Sequence, residues 1–257
     1  MEYKNTNKGG LKIFSPSYKR ANGIKTHKLI PNVVYCVDKN DYEDYKKKNV
    51  NLELLPDGIQ GNIARVRNYI KNKLIKNKGI LIDDDIEDIK IWNWVNNKPV
   101  AVRIKNILEF FEKSFILCEE SNCKLWGVNI VGDKGSYREY TPISFNNWVS
   151  GSLMGFLNND LDFDERIPLK EDIDFSLQTL NTYRKLLRFN YIHLIKKDHK
   201  NLGGCADYRT IEREKEQFAI FEKKWGKKIV KQDKTKKGKK NIVYDINPII
   251  KVPIKGV

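Results

Sequence analysis

Three consecutive carboxylates, Asp83, Asp84 and Asp85, directly follow the apolar or small residues 79–82. Such an uninterrupted run is typical of a buried strand in a parallel sheet. Polar groups at the carboxyl end of that strand would lie in the crevice where open α/β sheets bind ligands. Adjacent carboxylates repel one another unless a cation lies among them, and Mg²⁺ or Mn²⁺ takes oxygen ligands and often bridges to substrate phosphates. The run predicts a metal–diphosphate site, with a solvated acidic turn as the simpler alternative.

A second acidic pair, Glu171 and Asp172, opens a predicted helix, and His199 precedes a Gly-Gly pair. Carboxylates in the first turn of a helix ordinarily stabilise its dipole. If they face the crevice instead, one could be the general base for an acceptor hydroxyl. The histidine could complete a metal site that carboxylates begin, although a lone histidine is more often structural.

Two basic stretches could bind a nucleotide. Residues 15–20 (Ser-Pro-Ser-Tyr-Lys-Arg) follow a predicted strand and offer an aromatic ring for stacking, hydroxyls for ribose and cations for phosphate. The same residues can form an ordinary turn. Arg65 and Arg67 lie near the start of a predicted helix, where backbone N–H groups and the helix dipole favour anions.

The elements that must position these residues alternate between strands and helices. Apolar runs predict strands at residues 11–14, 33–37, 51–55 and 79–82, with helical patterns at 41–48 and from Ile63. This β-α-β alternation with short links indicates an α/β fold with a mostly parallel central sheet flanked by helices. The pattern continues with a hairpin at 89–102, helices at 103–120, from Glu171 and at 211–225, and strands at 124–131, 148–156 and 190–195.

Composition limits the function classes. The 257 residues carry a net charge of +15, which favours a polyanionic partner such as DNA. The four cysteines form no CxxC pair, so buried thiols in a reducing compartment are expected instead of a zinc cluster. No apolar run approaches the ~18 residues of a membrane span, and the start resembles no signal peptide. We expect a cytoplasmic monomer with one domain over residues 1–222, followed by a basic arm and C-terminal segment over 223–257 that pack on it.

Together these stretches resemble GT-A-fold nucleotide-sugar glycosyltransferases, whose Rossmann-like sheet matches the predicted architecture. Residues 15–20 resemble that fold's first nucleotide-contacting loop, and residues 64–68 followed by 79–85 resemble its Ala-Arg-Asn helix and DxD strand. Residues 170–172 resemble the xED motif of inverting members. Within the fold, the short length and basic surface are most similar to the TET-associated glycosyltransferases of phages, which act on hydroxymethylated pyrimidines such as 5-hydroxymethylcytosine in DNA.

The resemblance implies roles for the catalytic and metal-binding residues. Asp85 would ligate Mn²⁺ or Mg²⁺ together with His199, and Asp83 would contact ribose or metal. Asp172 would be the catalytic base, with Glu171 as the alternative. If the protein is encoded by a phage, these roles would be carried out in the host cytoplasm.

The resemblance also implies the ligand contacts. The nucleotide, expected to be UDP, would be held by Ser15, Ser17, Tyr18, Arg20, Asp38, Arg65, Arg67, Asp83 and Asp84. Val66 departs from the commoner alanine, so the roles of the two arginines beside it could be exchanged. A DNA base, flipped out or single-stranded, would bind near Gly151 and stack on Trp92, Trp94 or Trp148.

Three alternatives stay open. The same fold could transfer sugar to a polysaccharide or a protein, with its basic surface facing an anionic membrane. Paired aspartates and a metal also serve nucleotidyltransferases, which release pyrophosphate instead of UDP. A non-catalytic nucleic-acid-binding protein could use the ten lysines between residues 223 and 240.

Overall fold

The computed structural model describes residues 10–129, 132, 137, 139–196, 204, 208–232, 246 and 248–252. The described strands are β1 (Ile13–Pro16), β2 (Val34–Val37), β3 (Asn51–Leu54), β4 (Lys78–Ile82), β5 (Ile86–Val95), β6 (Lys98–Arg103), β7 (Leu125–Asn129), β8 (Ile143–Ser144), β9 (Leu153–Leu157), β10 (Leu187–Lys196), β11 (Val230–Gln232) and β12 (Pro248–Ile250). The described helices are α1 (Thr26–Leu29), α2 (Tyr42–Lys46), α3 (Ile63–Tyr69) with a π-helical continuation (Ile70–Ile75), α4 (Ile107–Glu120), α5 (Glu171–Tyr183) and α6 (Ile211–Trp225).

Within the described residues, a 10-stranded sheet has the order β3-β2-β1-β4-β9-β7-β10-β5-β6, with β8 paired to β10. Strands β3, β2, β1 and β4 are parallel neighbours, and β7 and β10 run in the same direction. β9 lies antiparallel between β4 and β7, and β5 with β6 forms an antiparallel hairpin beyond β10. The predicted class, an α/β fold with a mostly parallel central sheet flanked by helices, is confirmed.

Apolar side chains cover both faces of the sheet. On one face, Trp126 of β7 lies under the aromatic residues of α4, with Phe115 making an edge contact at 5.4 Å between ring centroids. On the other face, α3 and α5 pack over the sheet, and Phe163 stacks on Phe175 at 4.2 Å. Because Ile82 of β4 packs in the first cluster and Leu81 in the second, that strand is buried on both sides, as its uninterrupted apolar run predicts.

Local signals explain where several elements begin. The predicted hairpin turn is confirmed at Asn96 and Asn97, whose φ angles of 50° and 58° are those a two-residue type I′ turn requires. The helix predicted from residue 103 begins at Ile107, because residues 98–103 form β6 instead. The Asn106 side chain caps the helix by accepting a hydrogen bond from Glu109 N at 3.1 Å. The strand predicted over 148–156 begins only at Leu153.

Helix α6 lies against α5 and fixes its beginning. Leu169 N donates to Gln217 Oε1 at 2.7 Å, and the buried Lys170 ammonium lies 2.5 Å from the buried Glu214 carboxylate. An apolar cluster that includes Phe221 fills the space between the helices. Residues 223–225 end α6 and 230–232 form β11, while residues 233–245 of the lysine-rich stretch lie outside the described residues. Among the described helices, none is both long and apolar enough to cross a membrane.

Candidate active site

The three aspartates, called the aspartate trio below, form a turn that backbone hydrogen bonds fix in place. The carbonyl of Asp84 accepts from Lys25 N at 2.8 Å and Thr26 N at 3.2 Å. The Thr26 hydroxyl donates to Asp83 O at 2.7 Å, and Asp83 N donates to Ser152 O at 3.0 Å. The trio is therefore held between the start of α1 and the residues before β9, at the carboxyl end of β4.

Asp83 pairs with two cations of the chain. Lys196 Nζ lies 3.1 Å from its Oδ2 and 2.9 Å from Ser152 Oγ, and Arg67 Nη2 lies 3.8 Å from its Oδ1. Burial raises the pKa of Asp83, but Lys196 and Arg67 outweigh that effect and hold the pKa below its ordinary value. Asp83 is therefore ionised, and part of the charge expected to attract a metal is balanced by the protein itself.

Asp84 and Asp85 share a third cation. Arg20 Nη1 lies 3.4 Å from Asp84 Oδ1 and 3.8 Å from Asp85 Oδ2. Ser17 Oγ donates to Asp84 Oδ2 and lies 2.6 Å from the Tyr45 hydroxyl. Burial raises the pKa of Asp84 to about 6, and burial together with the charge of Asp83 also raises the pKa of Asp85.

One atom of the trio fits a bound cation. Asp85 Oδ1 is buried and has no hydrogen-bond partner among the described residues, so its charge is poorly compensated. Carboxylate oxygens are the ligands that Mg²⁺ and Mn²⁺ prefer. The described part of the chain contains no group of three His, Cys, Asp or Glu side chains placed to hold a metal, and His199 lies outside it. Asp85 Oδ1 is therefore an oxygen atom that could serve as a ligand of such an ion.

The acidic pair at the start of α5 reaches the same cleft through Arg67. Arg67 Nη1 lies 3.3 Å from Glu171 Oε1, while the same guanidinium contacts Asp83. Burial raises the pKa of Glu171 to about 7. Gly151 N donates to Asp172 Oδ2 at 2.9 Å, and a Cβ added at Gly151 would lie 1.9 Å from Arg67 Nη1. The two acidic clusters, distant in sequence, therefore lie on either side of the Arg67 guanidinium, and a side chain at position 151 would fit only if that guanidinium moved.

The remaining predicted nucleotide contacts lie around the loop after β1. Ser15 is buried, Tyr18 is half-buried beneath the Lys19 ammonium, and Asp38 Oδ1 accepts from Asn40 N at 2.9 Å. A cavity of about 790 Å³ opens beside Arg20. Its lining also includes Lys19, Ala21, Asn22, Gly23, Asp41, Asp44, Tyr45, Lys47 and Lys48.

Other predicted residues lie apart from the trio or are covered. Arg65 is on the surface, where its Nε lies 2.9 Å from Glu165 Oε2. Trp92 is buried and stacks on His193 at 4.8 Å. Trp148 packs, half-buried, beside the apolar cluster between α5 and α6, whereas 39% of Trp94 is exposed.

Sequence reasoning missed Lys196 and left the choice between the two arginines open. The sequence nevertheless contains a feature that could have indicated Arg67 and another that could have indicated Lys196. Position 67 lies three residues from Ala64 and three from Ile70, so it shares their helix face, and that face is buried. Lys196 ends an apolar strand, at the sheet edge where parallel strands bring polar ends together.

A family model described as "TET-Associated Glycosyltransferase" matches residues 11–204, well over half of the chain. The chain belongs to this family. The resemblance inferred from the motifs is thereby confirmed. The match ends before α6, although α6 fixes the beginning of the helix that carries Glu171 and Asp172.

Two solved structures resemble this TET-associated glycosyltransferase. The crystal structure of S. aureus TarS 1-349 matches with 12% identity and a TM-score of 0.44, covering 72% of this chain and 60% of TarS. The chain thus spans less than two thirds of that neighbour. A UDP-glucose pyrophosphorylase complexed with UDP-glucose matches with 7% identity and a TM-score of 0.42, covering 83% and 99% of the two chains. A comparison with curated protein sequences gives no match.

Proposed function

We propose that this glycosyltransferase moves a sugar from a UDP-sugar to the hydroxymethyl group of a modified pyrimidine in DNA, with inversion at the anomeric carbon. The observation that carries the proposal is the connection through Arg67. Its guanidinium contacts both Asp83 and Glu171, so a donor bound at the aspartate trio would have its sugar beside α5. Membership of the family and the net charge of +15 support DNA as the proposed acceptor.

Asp172 is the proposed general base. Its carboxylate accepts from the backbone N–H groups of Gly151 and Ile173 at 2.9 and 2.8 Å, which fixes its orientation. It would take the proton of the acceptor hydroxyl while that oxygen forms the new bond to the anomeric carbon. The bond between that carbon and the diphosphate oxygen breaks, and its electron pair leaves with UDP.

The chain's own cations and hydroxyls are proposed to bind the donor. Ser15, Ser17, Tyr18 and Asp38 surround the loop where the uridine would lie, and Arg20 would face the phosphates. Asp83 and Asp85 would hold Mn²⁺ or Mg²⁺. When bound, such an ion supplies positive charge that stabilises the departing diphosphate.

The acceptor base must leave the duplex before it can reach the cleft. Trp94 is the tryptophan among the three candidates that offers substantial exposed surface for stacking. Trp92 and Trp148 would serve only if the residues packed against them move. Because Trp94 lies on β5, we propose that DNA binds on the side of the protein that carries the β5–β6 hairpin.

The test is mass spectrometry of DNA after incubation with a panel of UDP-sugars and Mn²⁺. The substrates are otherwise identical DNA strands that contain 5-hydroxymethylcytosine, 5-hydroxymethyluracil or unmodified cytosine. We expect a hexose or N-acetylhexosamine mass gain on one modified base, with UDP as the released product. No mass gain on any DNA, or release of pyrophosphate, would contradict the proposal.

The role of Asp172 is tested by Asp172→Asn beside the control Glu109→Gln, which changes a half-exposed carboxylate on α4. Asp172→Asn should bind UDP like the wild type but lose transfer by about 10²- to 10⁴-fold. The control should retain both properties. Unchanged turnover in Asp172→Asn would remove this residue from the mechanism.

A further inference from the structure

Lys196 is the cation at the centre of the cleft. Its ammonium contacts Asp83 and Ser152, and it also interacts electrostatically with Asp85 and Asp172. It therefore lies between the residues proposed to hold the donor and the residue proposed to activate the acceptor. None of the resemblances stated above gives this lysine a role.

A distortion of the sheet sets the position of this lysine. On β10, Ile195 pairs with Asp88 of β5, but the next residue pairs with Ile86, so the register skips Glu87. The extra residue, Glu87, lies on β5, so the bulge bends β5 directly after the aspartate trio, opposite Lys196, and bulges are common beside active sites. The register shift occurs at Lys196, the last residue of β10, whose ammonium contacts Asp83 of the aspartate trio.

A purely structural ion pair would explain these contacts poorly. The Lys196 side chain is 31% exposed and that of Asp83 is 26% exposed. This pair is therefore partly open to solvent and can be reached by a ligand, unlike the Lys170–Glu214 pair, whose side chains are 2% and 1% exposed. An ammonium that is both anchored and open to the cleft is well suited to bind an anion that enters it.

We propose that Lys196 binds the diphosphate of the donor and stabilises the negative charge that UDP gains as it leaves. The proposal rests on the proposed function, because it takes a UDP-sugar as the donor. A cation bound at Asp83 and Asp85 would take over the charge that Lys196 balances in the free protein. The ammonium would then pair with a phosphate oxygen a short distance away.

The experiment compares the binding of UDP and of uridine, by calorimetry and ligand-observed NMR, to wild type, Lys196→Met and Lys196→Arg. Uridine has the same nucleoside but no phosphate. Loss of a charge-assisted hydrogen bond should weaken UDP binding by about 10- to 100-fold in Lys196→Met. Uridine binding should change less than about twofold, and Lys196→Arg should recover part of the UDP affinity. The control Lys113→Met, which removes an ion pair of 2.6 Å on α4, should bind UDP normally.

Electron paramagnetic resonance of Mn²⁺ gives a second readout without turnover. In Lys196→Met, Asp83 loses a competing cation, so the affinity for Mn²⁺ in the absence of nucleotide should be equal or higher. A fall in Mn²⁺ affinity would mean that the lysine acts by positioning Asp83, and the proposal would be overturned. Equal UDP affinity in wild type and Lys196→Met, or an equal loss of uridine and UDP, would overturn it as well.

These outcomes separate the two proposals. If the wild type binds UDP and Lys196→Met binds it equally well, only the role of Lys196 fails. If the wild type binds neither UDP nor uridine, the proposed donor fails, and the role of the lysine fails with it.

Discussion

Replacing Glu214 by glutamine should destabilise the protein strongly, although Glu214 lies outside the cleft. The Lys170 and Glu214 side chains are only 2% and 1% exposed, and their charged atoms are 2.5 Å apart. Glu214→Gln leaves the Lys170 ammonium buried without a counter-charge, which typically costs about 3–5 kcal/mol. The second partner of Glu214 is Arg209, whose buried Nε lies 3.2 Å from the carboxylate, although 29% of the arginine side chain is exposed and keeps contact with water.

Removing the other partner should cost less. In Lys170→Met, Glu214 keeps Arg209 as a counter-charge, so we expect a loss of about 1–3 kcal/mol. The double variant Lys170→Met/Glu214→Leu replaces the pair by apolar groups, which is often nearly neutral. We therefore expect its loss to be at least about 2 kcal/mol smaller than the sum of the losses of Lys170→Met and Glu214→Leu, each measured singly.

The assay is urea unfolding followed by tryptophan fluorescence, with the free energy of unfolding compared at equal m-values. A parallel measurement of sugar transfer shows whether the beginning of α5 stays in place in the variants that fold. A loss below about 1 kcal/mol in Glu214→Gln would refute the reasoning. Strict additivity in the double variant would refute it too, because it would mean that the two charges do not interact.

Two further predictions concern the cleft. Glu171 has a pKa raised to about 7 by burial, against an ordinary 4.5, so the contribution of its carboxyl group to stability should be lost as pH rises from 4.5 through 7. Glu171→Gln should remove this loss. Between pH 4.5 and pH 7, the free energy of unfolding of the variant should therefore rise by up to about 3 kcal/mol relative to that of the wild type. Urea titrations in which the difference between the two proteins does not vary with pH would contradict this prediction. Gly151→Ala places a Cβ 1.9 Å from Arg67 Nη1. Sugar transfer should therefore fall more than about tenfold, and the free energy of unfolding should fall by about 1–3 kcal/mol. Full activity in the mass-spectrometric assay would contradict this, because it would show that the arginine can move.

Much of the fold follows from local pattern in the sequence. The run at residues 79–82 predicts a buried strand because both faces of β4 are covered, and Asn96-Asn97 predicts a hairpin because asparagine tolerates positive φ. The start of α4 was wrong by four residues because an apolar stripe does not reveal that residues 98–103 pair with β5. Pairing between strands is a long-range property, which periodicity along the chain cannot report.

The candidate site was predicted unevenly for a similar reason. The two acidic clusters could be found from residue type, because carboxylates at a strand end and at a helix start are visible in sequence. The cations that balance them could not, since the pairing of Lys196 with Asp83 spans 113 residues and lies beside a register shift between β10 and β5. The chain is rich in lysine, so a functional lysine does not stand out by type.

The order of strands in the sheet has a consequence for how the protein is made. β9 lies between β4 and β7, and β10 lies between β7 and β5, so strands synthesised late are inserted into the middle. Strands β1 to β4 could associate soon after they leave the ribosome, but the β5–β6 hairpin must wait for residues 187–196 before it gains its neighbour. Contacts between residues so distant in sequence slow folding. Until they form, the unpaired edges of β4 and of the β5–β6 hairpin can pair with other chains and cause aggregation. We therefore expect the yield of native protein to depend on the rate of translation and on chaperones more than the size of the chain would suggest.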